Sequence, residues 1–170
     1  NMIADKGVKC YKTMNSLLHL LESYTLLYKL SKSPAVRAAL KNLLVLFNDK
    51  IYSPQKGRLE VFFDDDLNSI SDYHSYGHDI EASWLLDYAA EVLEDGILTE
   101  KTHRMTDHLC STVYKEGFDG EAIFNEKVNG AVDSDRIWWV QAEAVLGFQK
   151  NYERTGELRY RAVAEKLFDY

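Results

Sequence analysis

Two histidines in this sequence are each followed, three residues later, by a glutamate: His19 by Glu22 and His78 by Glu81. In a helix this spacing brings an imidazole and a carboxylate to one face, where the two side chains contact each other. Such a carboxylate orients its histidine and raises its basicity, or acts itself as an acid or base. The same spacing is typical of an ordinary pair on a helix surface. The pattern alone leaves catalysis and surface pairing both open.

Two adjacent tryptophans, Trp138 and Trp139, open a later helical segment. Neighbouring residues of a helix point about 100° apart, so both indoles cannot face the same core. We expect one to pack and the other to line a cleft, where its flat face suits the C–H face of a sugar and its N–H suits a hydroxyl. Packing of both stays open. His78 follows Gly77 at a predicted helix start, where the positive end of the helix dipole favours a neutral imidazole that is a usable base.

The spacing of possible metal ligands does not match the common metal sites. Two-metal sites in helical bundles need Glu-x-x-His on two helices, and here Glu100 with His103 is a single case. The HExxH motif and cysteine-rich zinc spacing are absent. The acidic run at Asp64 lacks the Gly and the terminal Glu of an EF-hand loop, so we expect a solvated turn. The sequence therefore predicts chemistry without a metal ion or another cofactor.

Helical periodicity dominates the chain and predicts the elements that position these residues. The predicted class is all-α, an array of three helix hairpins with a short β excursion near 57–66 and a long loop at 119–133. The predicted helices span residues 13–31, 34–52, 78–94, 99–117 and 133–154, and 157 onward. Unusual polar residues lie near the N-terminal halves of the first, third and fifth helices. If hairpins lie side by side, alternate helices form one layer, and a shared pocket at one end of that layer follows.

Composition limits the partners. The 170 residues carry a net charge of −7 without a basic patch, which argues against nucleic acid. The longest apolar runs are far shorter than the roughly 20 residues that span a bilayer. Two cysteines without CxxC spacing favour a cytoplasmic protein. We expect a single domain over residues 1–170, an excerpt of a longer protein, because the chain starts at Asn1 and stops at Tyr170 within a helical pattern.

Three segments resemble signature blocks of the N-acylglucosamine 2-epimerase superfamily, and within it those of the cellobiose 2-epimerase family. In chain order they read NSLLHLLESYT at 15–25, SYGHDIEASWLL at 75–86 and DRIWWVQAE at 135–143. The resemblance covers essentially the whole chain. It implies an (α/α)6 barrel of twelve helices whose inner six line the pocket, so that this chain is about half of the barrel.

The resemblance also implies catalytic roles. His78 is similar to the histidine that exchanges the C2 proton of the sugar, and Glu81 to its neighbouring acid. Glu143 is similar to a carboxylate that supports a catalytic histidine, and His19 to a residue that acts near C1 and C2. The second proton-exchanging histidine of the family lies beyond Tyr170.

Substrate contacts are implied for three further residues. Asn15 is similar to a residue that contacts the sugar around C1 and C2, and Trp139 to the tryptophan that stacks on the reducing-end ring. Trp138 is counted with this binding group, although its main expected role is packing. The implied reaction opens the ring, removes the proton at C2 to give an enediolate and returns a proton to the opposite face. The implied partner is cellobiose or a related oligosaccharide.

Three alternatives remain at this point. An aldose–ketose isomerase of the same superfamily delivers the proton to C1 rather than C2. An N-acylglucosamine 2-epimerase acts on a different sugar. A helical scaffold without catalysis predicts that His19, His78 and Trp139 can be replaced without loss.

Overall fold

A computed structural model describes residues 3–5 and 7–170 of the chain. Within these residues there are six α-helices: α1 Met14–Ser31, α2 Pro34–Leu46, α3 Tyr76–Leu93, α4 Gly96–Thr112, α5 Trp138–Thr155 and α6 Leu158–Asp169. All six predicted helices are present, which confirms the predicted helical class. The helices account for most of the chain, and the β-structure between them is short.

The helices form two layers. The first layer consists of α1, α3 and α5, in which α3 lies between the other two. The helices α2, α4 and α6 form the second layer, and each packs on the helix that precedes it in the chain. The predicted array of helix hairpins, with alternate helices side by side, is therefore confirmed. We call the α1, α3 and α5 layer the inner layer.

Helix boundaries follow local capping. The hydroxyl of Thr13 accepts a hydrogen bond from the backbone N–H of Ser16 at the start of α1, and Pro34 begins α2 as predicted. Asp95 caps α4 by accepting from the N–H of Leu98 at 3.2 Å. The predicted start of this helix at Thr99 is therefore too late. Glu94 ends α3 in a left-handed conformation, which leaves Asp95 free to cap the next helix.

Two helices of the second layer end in a wider turn. One five-residue π-helical turn follows α2 at Phe47–Ile51, and another follows α4 at Val113–Gly117. Each turn is closed by a hydrogen bond from the next backbone N–H to the carbonyl five residues earlier. The predicted ends of these helices, near residues 52 and 117, are confirmed once the π-helical turns are included.

Nine short strands connect the helices within the described residues: β1 Ile3–Asp5, β2 Val8–Cys10, β3 Lys12–Thr13, β4 Tyr52–Ser53, β5 Arg58–Leu59, β6 Phe62–Phe63, β7 Tyr73–Ser75, β8 Glu126–Val128 and β9 Ala131–Asp133. All pairings are antiparallel: β1 with β2, β3 with β6, β4 with β5, and β7 with β8 and then β9. The predicted excursion near 57–66 contains β5 and β6, but each pairs with another strand rather than with the other. Asp64 then forms the predicted turn by accepting from the N–H groups of Asp66 and Asn68.

The segment before α5 differs most from the prediction. The predicted loop at 119–133 contains the β8–β9 hairpin, and its turn residues Asn129 and Gly130 have φ of 49° and 82°. An Asn-Gly pair is the preferred sequence for such a tight turn. Asp133 therefore belongs to β9 instead of capping a helix, and α5 begins only at Trp138. The predicted start of this helix at residue 133 is therefore too early.

Apolar residues form two buried clusters, one on each side of α3. The first lies among α1, α2, α3 and the early strands and includes Met14, Leu18, Leu44, Phe47, Phe62 and Leu86. The second lies among α3, α4, α5 and α6 and includes Tyr76, Ile80, Val113, Val140, Phe148 and Tyr160. Because α3 contributes to both clusters, it is held firmly in place. None of the described helices is long and apolar enough to cross a bilayer.

Candidate active site

The inner helices share one length and one spacing. Each has 18 residues, and they begin at residues 14, 76 and 138, a constant interval of 62. His19, Glu81 and Glu143 consequently occupy the same place, the sixth residue, in three neighbouring helices. A shared pocket at this end of the layer stays a prediction.

Burial and charge act together on Glu81. Its side chain is almost fully buried, and its pKa is raised to about 7, first by burial and then by the negative charge of Glu143. The neighbouring charge of His19 opposes this rise, whereas Glu22 adds to it. A carboxyl group with a pKa near neutrality can hold or release a proton under ordinary conditions. Glu81 is thus a usable acid at the centre of a group that also contains His19, Glu22 and Glu143, and we call this group the cluster.

Trp84 also belongs to this cluster. Its indole Nε1–H donates to Glu143 Oε2 at 3.0 Å and so links α3 to α5. Trp84 lies three residues after Glu81, on the same helix face. That spacing was the available signal, but an aromatic residue at helical spacing is more often a packing residue.

His78 lies in the first turn of α3 and is half-buried. Its Nδ1 is 2.7 Å from the hydroxyl oxygen of Ser75, the residue that caps α3. Its ring lies 4.9 Å from the Trp139 ring, measured between centroids, with an angle of 58° between the planes. The structure therefore brings together the predicted base and the predicted sugar-stacking residue.

Gly77 makes this approach possible. A Cβ at position 77 would lie 2.6 Å from Cη2 and 2.7 Å from Cζ3 of Trp139, and 2.7 Å from Cγ2 of Val140. Any side chain would therefore clash with α5. The expectation that Gly77 permits a close approach is confirmed.

Trp138 does not join the cluster. Its side chain is 79% exposed and lies along a groove between α5 and α6 with Leu167 and Phe168. The expectation that Trp138 packs into the core is wrong, because Val140 and Ala144 take the buried face of α5. A contact between Trp138 and a sugar stays a prediction.

The predicted residues of α1 lie at the edge of the cluster. His19 Nδ1 is 3.1 Å from Glu22 Oε2, so this predicted pair forms, and both side chains are well exposed. Asn15 is half-buried, and its side-chain oxygen is among the buried polar atoms that have no hydrogen-bond partner within the described structure.

A further histidine, His74, stabilises the start of α3. His74 and Asp79 are both buried, and His74 Nε2 is 2.8 Å from Asp79 Oδ2. Asp79 Oδ1 also accepts from the backbone N–H of Leu59. Burial raises the pKa of Asp79, while the hydrogen bond from His74 opposes the rise. Because Asp79 directly follows His78, this network fixes the turn that carries the predicted base.

Among the described residues, no three His, Cys, Asp or Glu side chains are grouped so that they could hold a metal ion. The expectation of chemistry without a metal or another cofactor stays a prediction.

Comparison with known proteins gives consistent matches. A family model described as N-acylglucosamine 2-epimerase (GlcNAc 2-epimerase) matches residues 3–170. The cellobiose 2-epimerase of Eubacterium cellulosolvens is 44% identical, over 99% of this chain and 45% of that protein. A solved sugar epimerase from a ruminal bacterium has a TM-score of 0.94 and 39% identity, covering 98% of this chain and 43% of its own.

A second solved structure, the cellobiose 2-epimerase from Bacillus thermoamylovorans B4167, has a TM-score of 0.93 and 38% identity. The match covers 99% of this chain and 43% of that one. The chain thus spans less than half the length of these relatives. Since the family model matches almost every residue, from the first strand to the last helix, the chain belongs to the N-acylglucosamine 2-epimerase family.

Proposed function

We propose that this chain forms about half of the (α/α)6 barrel of a sugar 2-epimerase. The enzyme inverts C2 of the reducing-end glucose of cellobiose or a related β-1,4-linked disaccharide and so produces mannose at that position. The observation that carries the proposal is the grouping of His78 and Trp139 with the buried Glu81 on neighbouring inner helices. The cellobiose 2-epimerase relatives support the choice of sugar.

His78 is the proton acceptor in this proposal. After the sugar ring opens, the C2–H bond is weakened by the C1 aldehyde, and His78 takes the proton. The electron pair of that bond forms the C1=C2 double bond, and negative charge develops on O1. A second base, supplied by the remainder of the protein, returns a proton to the opposite face of C2. Histidine suits this task because its ordinary pKa, about 6.5, lets it accept and then donate a proton near neutrality.

The enediolate needs hydrogen-bond donors at O1 and O2. The side-chain N–H of Asn15 and the His19 imidazole supply them from α1. Glu81 stabilises the imidazolium of His78 when it is ionised. The negative charge of Glu143 raises the pKa of Glu81, and the hydrogen bond from Trp84 holds Glu143 in place.

Trp139 binds the reducing-end sugar by stacking. Its indole already packs beside His78, so a ring stacked on it brings C2 towards the base. The planar intermediate must turn about its C2–C3 bond before the second proton arrives. A flat aromatic surface permits this movement, whereas a rigid set of hydrogen bonds would oppose it.

The test is cellobiose incubated with the full-length protein in D2O. The expected product is 4-O-glucosyl-mannose with deuterium at C2, because the second group, which returns the proton to C2, exchanges its own proton with solvent. A ketose labelled at C1 would instead indicate an isomerase, and no label at all would indicate a scaffold. We expect the 170-residue chain alone to be inactive in this assay, since the second base lies outside it.

The variant His78→Asn should bind sugar and lose at least about 10²-fold in turnover, the usual contribution of acid–base catalysis. His108→Asn is the matched control, because His108 lies on α4 of the second layer, where its Nδ1 contacts the Tyr52 hydroxyl. Near-normal turnover by His78→Asn would refute its role as the base.

A further inference from the structure

The first residues of the three inner helices occupy one equivalent position but differ in burial. Met14 at the start of α1 and Tyr76 at the start of α3 are completely buried. Trp138, the first residue of α5, is 79% exposed. An indole carries a large apolar surface, and such a surface in contact with water marks a place where another segment binds.

In the first two hairpins this position is buried together with the turn that follows the second-layer helix. Tyr76 packs on the π-helical turn after α4, where a Cβ on Gly117 would lie 2.9 Å from the ring carbon Cδ1 of Tyr76. Met14 belongs to the same buried cluster as Phe47 and Ile51, which are the first and last residues of the π-helical turn after α2. Both hairpins therefore bury the start of the inner helix in the same way.

A strand that comes back after each of these turns pairs with the residue before the inner helix. Phe62 of β6 pairs with Thr13, and Glu126 of β8 pairs with Ser75. In each pair the second partner lies about fifty residues further along the chain. Ile137, the equivalent residue before α5, belongs to no strand in the part of the chain that the structure describes.

Trp138 lies in a groove of about 520 Å³ between α5 and α6, which Leu167, Phe168 and Tyr170 also line. Each second-layer helix begins 20 residues after the start of its inner helix, so the third hairpin follows the spacing of the first two. The π-helical turns begin 33 and 37 residues after the starts of their inner helices. Counted from Trp138, the same intervals fall just after Tyr170.

We infer that Trp138 and its groove bind the segment that follows Tyr170 in the full-length protein. There α6 continues into a π-helical turn that covers Trp138, and the chain then comes back as a strand that pairs with Ile137. The inference rests on the proposed function in one respect, that this chain is part of a longer protein; it covers 45% and 43% of the length of two relatives. In proteins built from repeats, each repeat buries its apolar face against the next part of the chain.

Covering Trp138 gives the two adjacent tryptophans separate roles. Neighbouring residues of a helix point about 100° apart, so a turn that covers Trp138 does not cover Trp139. In the full-length protein Trp138 is then a packing residue between α5 and the end of α6, and Trp139 alone is left to bind the sugar. The exposure of Trp138 is a property of the 170-residue chain.

The test replaces Trp138 in the full-length protein with p-benzoylphenylalanine, a photoreactive aromatic residue that bonds covalently to the C–H groups it touches. Mass spectrometry then identifies the attached peptide. We expect this peptide to come from the roughly twenty residues after Tyr170, which the intervals of the first two hairpins assign to the turn and the strand. The same photoreactive residue at Ile97, which is 85% exposed in the first turn of α4, is the matched control and should not attach to that peptide. A peptide from elsewhere in the protein, a link to a second copy, or no link from position 138 would overturn the inference.

A second measurement keeps the indole in place. In full-length protein labelled with 5-fluorotryptophan, the fluorine NMR signal of Trp138 is identified by its loss in Trp138→Phe. We expect a soluble gadolinium chelate to broaden this signal less than that of the indole introduced by Ile97→Trp, and equal broadening would overturn the inference. Protein that protects Trp138 but introduces no deuterium at C2 of cellobiose would instead overturn the proposed function, because protection is measured without turnover.

Discussion

Gly77 offers a sharp test of the proposed site, because it lies against Trp139, the residue proposed to stack on the sugar. The Cβ introduced by Gly77→Ala would lie 2.6 and 2.7 Å from two ring carbons of Trp139 and 2.7 Å from Val140. Carbon atoms in ordinary contact are about 3.5–4.0 Å apart. The indole or the start of α3 must therefore move by nearly an ångström.

The expected effects are a loss of stability and a larger loss of activity. Overpacking of this kind costs about 1–3 kcal/mol, and alanine regains about 0.5–1 kcal/mol over glycine in a helix. The free energy of unfolding should thus fall by about 1–2 kcal/mol. A 1 Å misplacement at a reacting centre can cost about 10²-fold in rate, so kcat/KM for deuterium exchange should fall by at least tenfold. Urea denaturation and the exchange assay measure the two quantities on the full-length protein.

Two comparisons separate the clash from a general effect of alanine. Nothing lies within 4 Å of a Cβ built on Gly96 at the start of α4, so Gly96→Ala should not reduce stability or activity. The variant Trp139→Phe removes the outer part of the indole, which carries both clashing ring carbons. In the Trp139→Phe background, Gly77→Ala should cost less stability. Wild-type kcat/KM for Gly77→Ala would refute the claim that Gly77 sets the position of the stacking residue.

Three further predictions follow from the same residues. Trp139→Ala should weaken sugar affinity by about 1–3 kcal/mol, as for other stacked aromatic side chains, and by more than Trp138→Ala does; calorimetry measures both, and equal losses would contradict the assignment. Because the pKa of Glu81 rises from 4.5 to about 7 on folding, folded protein retains a proton there that the unfolded chain has lost, so stability falls as pH rises through this range. Glu81→Gln should remove that loss, and the stability difference between variant and wild type should change by about 3 kcal/mol between pH 4.5 and 8; parallel urea curves would sink the prediction. Exhaustive chelation should leave the exchange rate unchanged, and a loss restored by one divalent ion would show that a metal takes part.

Much of the helical architecture was predictable because its signals are local. Thr13 marks the start of α1 by its capping hydroxyl, and Pro34 marks the start of α2 by its fixed φ; both signals depend on only a few residues. Apolar spacing then identified the buried faces, and the structure confirms the alternation of the two layers. The grouping of His19 with Glu81 also followed from this alternation.

The remaining features depend on contacts between distant residues. The strand β8 forms against β7, some fifty residues earlier, and its Asn129-Gly130 turn is a weak signal inside a polar segment. The exposure of Trp138 depends on which neighbours fill the buried face of α5. The hydrogen bond between Trp84 and Glu143 joins α3 to α5. Helical periodicity cannot specify how far apart these two helices lie.

The constant interval of 62 residues between the starts of the inner helices also bears on the history of the fold. Equal helices at equal intervals, with α2 and α4 ending in the same π-helical turn, are what serial duplication of one ancestral hairpin would leave behind. Copies of one position have then diverged: the second residue of each inner helix is Asn15, Gly77 or Trp139, and the sixth is His19, Glu81 or Glu143. On this view Asn15, Gly77 and Trp139 descend from one ancestral residue. A new sugar specificity would then be within reach of single substitutions at such equivalent positions, with the hairpins themselves left intact.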